Sequence, residues 1–132
     1  MRELLGRLSV ERLRFEPPPS GPDGLWWAFD LVAYDRRGRV ALACETKKTV
    51  EEADRLERDL KLWCSGNHPN RDHPDPKNNH YRKYRGLLDH KPRALWIIEP
   101  GTFVNSPDRL FRVKVKDDEI ARFTPVRDPR AF

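Results

Sequence analysis

Three residues in the first half of the chain, Asp30, Glu45 and Lys47, have the types and spacing to hold a hard cation and to manage negative charge developing beside it. The segment Trp26 to Tyr34 is aromatic and β-branched, Asp35-Arg36-Arg37-Gly38 reads as a turn with glycine where a left-handed residue is wanted, and Arg39 to Lys47 resumes an extended pattern. That is a β-hairpin. Counting back from the turn, Asp30 falls beside Cys44 or Glu45 on the partner strand. Carboxylates so placed repel unless a hard cation such as Mg²⁺, or the lysine two residues on, compensates them. The plainer reading is a Glu45–Lys47 ion pair on one face of a strand end, which is worth little.

The elements around these residues follow from pattern. Alternation along Arg39 to Lys47 puts Ala41, Ala43, Glu45 and Lys47 on one face and Val40, Leu42, Cys44 and Thr46 on the other, so small residues lead up to charged ones as in the floor of a cleft. Thr49-Val50-Glu51-Glu52 matches a capping box. The helix it opens carries Val50, Ala53, Leu56, Leu60 and Trp63 at helical spacing and ends near Cys64, before Gly66. Ser65 to Asn79 is rich in proline and asparagine and reads as a long loop facing a substrate. A second helix is predicted over His80 to His90 and a buried strand over Arg93 to Glu99. An extended pair, Leu110 to Lys116 and Ile120 to Val126, turns at Asp117-Asp118. Upstream, Glu3 to Leu8 suggests a short helix and Val10, Leu13 and Phe15 an extended piece. The proline-rich loop Pro17 to Gly24 ends this N-terminal arm. One domain is expected over residues 1–132, with the arm and loop in 1–24 and the core in 25–126. A strand, a helical crossover and another strand favour a mixed α/β sheet.

An aspartate near the end of one strand followed by Glu45-Thr46-Lys47 on the next resembles the signature of the PD-(D/E)XK nuclease superfamily, with Phe29 where the naming proline stands. The resemblance covers roughly Trp26 to Glu99, although three residues carry the motif. It implies a restriction-endonuclease-like fold, a mixed β-sheet flanked by helices with an αβββαβ-type core. It further implies Mg²⁺, with Mn²⁺ as a substitute, held by Asp30, Glu45 and the Thr46 backbone carbonyl, while Lys47 serves the attacking water. The family's frequent upstream acid corresponds to Glu3 or Glu11. The activity implied is hydrolysis of nucleic-acid phosphodiesters, more readily DNA than RNA. Its rival is an inactive nuclease-fold module that binds DNA or a protein partner.

Lysine and arginine number 26 against 21 aspartates and glutamates, a net charge of +5 that permits a polyanionic partner without demanding one. Arg71, Lys77, His80, Arg82, Lys83 and Arg85, interleaved with Tyr81 and Tyr84, could form a basic surface for phosphates, or simply a solvated helix face. Arg112, Lys114 and Lys116 share one side of their strand and read as protection of a sheet edge. Cys64, His68, His73 and His80 match no standard zinc spacing. The two cysteines are expected as buried free thiols. With no apolar run near the roughly 20 residues a span needs and no secretory pattern at Met1 to Arg7, a cytoplasmic location without membrane contact is expected. A domain this small leaves room for a homodimer or larger complex.

Overall fold

The computed structural model describes residues 10–15, 29–64, 79–101 and 109–127. Within them run strands β1 (Val10–Phe15), β2 (Leu31–Asp35) and β3 (Val40–Thr46), helices α1 (Val50–Leu62) and α2 (Asn79–His90), and strands β4 (Ala94–Ile98), β5 (Leu110–Lys116) and β6 (Glu119–Pro125). The six strands form one sheet in sequential order. Every neighbouring pair is antiparallel except β3 and β4, which are parallel. At that pair the chain leaves the sheet, builds both helices and returns, since parallel neighbours need a crossover rather than a hairpin. The architecture is therefore mixed α/β. The N-terminal arm is less separate than its composition suggests, because β1 pairs with β2 along an edge of the sheet. Among the described residues no helix is long and apolar enough to cross a membrane. The expected Glu3 to Leu8 helix, Trp26, Trp27 and nearly all of the Ser65 to Asn79 loop lie outside the described residues.

Asp35 organises the β2–β3 turn with its own side chain, Oδ1 accepting from the amides of Arg37 and Arg39 at 2.9 Å each. Gly38 takes a φ of +76°, where a side chain would be strained. Beyond the turn, Tyr34 pairs with Val40 but Ala33 pairs with Leu42, so Ala41 is an extra residue in β3. This bulge corrects the expected sidedness. Val40 and Ala43 pack into the core beneath the helices with Val32, Leu95 and Ile97. Ala41 joins Leu42 and Cys44 on the opposite face, among Ala33, Ala94, Trp96 and Leu110. Both faces at β3 are covered, and Val40 through Cys44 are all buried, as expected of a strand whose apolar run is continuous.

Helix α1 starts as its sequence dictates. Thr49 Oγ1 accepts from the Glu52 amide at 3.1 Å, while Glu52 Oε2 accepts from Lys48 N, one residue ahead of the cap, at 3.1 Å. Its stripe of Ala53, Leu56 and Leu60, continued by Trp63, is buried against the sheet and α2. Val50, at the first turn, is 47% exposed and outside that stripe. The contrast between neighbours on this helix is testable. Leu60 is 1% and Leu62 62% exposed, so Leu60→Ala should destabilise by about 2–5 kcal/mol and Leu62→Ala by less than about 0.5 kcal/mol. Equal losses in urea titrations would show that α1 packs through a different face.

Candidate active site

The hairpin register carries Asp30 to Glu45. Leu31 pairs with Cys44, and the Asp30 amide donates to the Cys44 carbonyl at 3.1 Å. The next residue along β3 is Glu45, at the carboxyl end of the strand and level with Ile97 on the parallel β4. Carboxyl ends of parallel strands are where open α/β sheets commonly bind ligands. One oxygen of Asp30, Oδ2, accepts both the backbone amide of Thr46 at 2.8 Å and its hydroxyl at 2.7 Å. Glu45 is 6% exposed and reaches under α2, where Lys83, 2% exposed, places Nζ 3.2 Å from Glu45 Oε2. That contact is an ion pair not aligned as a hydrogen bond, and Oε2 is buried with no hydrogen-bond partner. Lys47 anchors its amide on the Ile98 carbonyl at 2.8 Å and stands half-buried at the rim.

Each ionisable group records this crowding. Burial is the largest influence on Glu45 and pushes its pKa up to about 7; attraction to Lys83 opposes the rise, and repulsion and proton sharing with Asp30 add to it. Asp30 moves the other way. Burial works against its ionisation, but the two Thr46 hydrogen bonds, the contact with Glu45 and the attraction of Lys83 together hold it below the usual carboxylate range. Lys83 is lowered, first by burial and further by the Lys47 charge, although Glu45 and Asp30 pull it back. Burial thus costs both members of the Lys83–Glu45 pair more than their attraction offsets.

Comparison with family models, curated proteins and solved structures finds no match. The assignment of roles therefore rests on the geometry. The structure brings Asp30, Glu45, Thr46 and Lys47 to one strand end. Thr46 contributes its amide and hydroxyl, directed at Asp30, in addition to the carbonyl the motif implies.

Other expected residues are distributed differently. Glu11 lies in β1 between the partners of Asp35 and Tyr34, while Phe15 is the β1 residue level with Leu31. About five residues of strand, roughly 17 Å, separate Glu11 from the level of Asp30. Glu3, Arg71 and Lys77 lie outside the described residues. Along α2 the basic surface is partly turned inward. Lys83 is buried on Glu45, and Tyr81 and Tyr84 are 1% and 0% exposed, stacked on each other and edge-on to Trp63. The tyrosines are core, and Lys83 is a site residue. Its position four before Leu87, on the stripe that α2 buries, is the sequence signal that distinguishes it from Arg82. His80 Nδ1 is 2.6 Å from Asp59 Oδ2, and Arg85 is 3.9 Å from Asp89. Of the zinc candidates, Cys64 directs its thiol to the Leu60 carbonyl, and His68 and His73 lie outside the described residues. Among the described residues no three His, Cys, Asp or Glu side chains converge on a metal position. Both thiols are free, Cys44 buried and Cys64 half-buried. The cationic face of β5 does not guard an edge, because β5 lies between β4 and β6.

The raised Glu45 pKa carries a signed consequence for stability. The folded state keeps this proton from the unfolded value of 4.5 up to about 7, so the stability it contributes is complete below 4.5 and is lost as pH rises to about 7. Without divalent ions, the urea midpoint of the wild type should fall relative to that of Glu45→Gln between pH 4.5 and 7.5. Parallel curves would mean that Glu45 titrates normally.

Proposed function

We propose that this chain is a metal-dependent phosphodiester hydrolase of the restriction-endonuclease-like, PD-(D/E)XK kind, acting on nucleic acid and on DNA in preference to RNA. The observation that carries the reading is the juxtaposition of Asp30 and Glu45 that the hairpin register sets at the carboxyl end of β3, with Lys47 two residues on. Such a pair is expensive to maintain for structure alone. The order of three strands, helical crossover and parallel strand also accords with that superfamily's core.

The residues fit a hard cation. The donors are oxygens, and Glu45 Oε2 is a buried carboxyl oxygen lacking a hydrogen bond. The nearby Cys44 thiol, pushed up to about 12 by burial and then by Asp30 and Glu45, stays protonated and lies in the cluster on the other face of the sheet. Two carboxylates are a sufficient protein share for Mg²⁺, which keeps several waters and takes further oxygens from a phosphate. Asp30, Glu45 and the Thr46 carbonyl are the residues that would hold it, with Mn²⁺ as a substitute. When bound, the ion supplies Lewis-acid polarisation of the phosphoryl group. Thr46 fixes the Asp30 carboxylate before substrate arrives, so no reorientation is needed at the reaction. Lys47, charged at the rim, orients the attacking water and offsets negative charge developing on phosphorus. The net charge of +5 suits a polyanionic substrate.

A second reading, an inactive module of the same fold that binds DNA or a protein, is favoured by one observation, the Lys83 ammonium that already neutralises Glu45. Activity separates the two. Purified protein should nick supercoiled plasmid with Mg²⁺ or Mn²⁺ and not with EDTA, and Glu45→Gln and Lys47→Ala should each lose about 100-fold or more. Wild type that binds DNA in gel shifts yet never nicks it would support the module.

A further inference from the structure

We infer that Lys83 is the resident counter-ion of the Asp30–Glu45 pair, and that its ammonium competes with a divalent cation for one carboxylate oxygen, Glu45 Oε2. This rests on the reading of those carboxylates as a cation site and adds what regulates its occupancy. Lysine is seldom fully buried without a partner, and Lys83 is 2% exposed in the interior turn of a helix. Its Nζ is 3.2 Å from the same Oε2 that lacks a hydrogen bond. The ammonium also lies over an aromatic ring, with Nζ 5.9 Å from the Phe29 centroid. Phe29 is itself 2% exposed and directly precedes Asp30. The Lys83 charge therefore has a built place beside Glu45 and the Phe29 ring.

The chemistry of that place suits an exchangeable occupant. A lysine ammonium is a point charge on a flexible stem, without the fixed fork by which arginine grips a carboxylate. Without a cation here, Glu45 and Asp30 would be two acidic groups crowded at one strand end, Glu45 buried and Asp30 half-buried. With the ammonium in place they remain together and partly neutralised. A divalent ion binding to Oε2 meets that positive charge a few ångströms away. Even at the dielectric of bulk water, a unit charge about 4 Å from a divalent ion weakens binding by about tenfold or more. Lys83 thus lowers the affinity of the site while keeping its ligands assembled. A purely structural lysine predicts the reverse, since removing it would disorganise Glu45 and weaken binding.

The test is Mn²⁺ affinity of the full chain, measured by calorimetry and by loss of the free-ion paramagnetic resonance signal. It is run at pH 8.5 so that a proton on Glu45 is not the competitor. Lys83→Met, with Lys83→Gln as a second neutral variant in case the first folds poorly, should bind Mn²⁺ about tenfold or more tightly than wild type. Lys83→Arg, which retains the charge, should show no gain, and adding Glu45→Gln to Lys83→Met should abolish the gain. Neutral variants that bind equally or more weakly would overturn the proposal and make Lys83 a structural support of Glu45. A gain that survives Glu45→Gln would overturn it by placing the ion elsewhere. If neither wild type nor the neutral variants bind Mn²⁺, the cation-site reading itself fails, and the competition proposal with it.

Discussion

Two carboxyl groups set side by side, one of them buried, repel each other, and the surroundings of Asp30 and Glu45 are arranged against that repulsion. Thr46 holds one oxygen of Asp30 with two hydrogen bonds, Lys83 brings a buried positive charge to Glu45, and a proton remains on Glu45 up to about pH 7. The arrangement draws on three parts of the chain. The hairpin sets the carboxyls opposite each other, the strand end supplies Thr46, and a helix more than thirty residues on supplies Lys83. Loss of any one leaves the others facing an uncompensated charge.

The rest of the described fold keeps that arrangement in register. The bulge at Ala41 lets β3 bury both its faces while still directing Ala43 toward α1 and α2. The helices are locked to each other through Trp63, Tyr81 and Tyr84, whose rings meet edge-on or stacked within about 6 Å, and this fixes the turn of α2 that carries Lys83. A second charged cluster anchors the far side of α1. Arg109, just before β5, reaches Glu57 at 2.8 Å, Glu99 at 3.2 Å and Asp54. It ties α1 to the ends of β4 and β5, so the crossover cannot slide over the sheet without separating a largely buried arginine from three carboxylates.

Much of this was legible in local pattern. The Asp35–Gly38 turn, the Thr49 cap, the Asp117-Asp118 turn, where both residues take positive φ, and the neighbourhood of Asp30 and Glu45 all follow from short-range rules of spacing and backbone geometry. What escaped depends on long-range pairing. The bulge at Ala41 is invisible in an apolar run that fits either face. The role of Lys83 requires knowing that α2 lies over the end of β3, since in isolation the run Arg82-Lys83-Tyr84-Arg85 resembles a solvated basic face. The inner position of β5 likewise depends on its partners. One consequence is that Lys114 stands directly across from Arg122, a like-charged pair that edge protection does not explain.

The central claim is that Asp30 and Glu45 share one divalent cation. It is tested most directly by a crystal structure of the chain grown with Mn²⁺, with data collected at a wavelength where manganese scatters anomalously. The account predicts an anomalous peak within about 2.2 Å of a carboxylate oxygen from each residue. Clear density for both side chains with Lys83 still paired to Glu45, and no peak between them at saturating Mn²⁺, would contradict it.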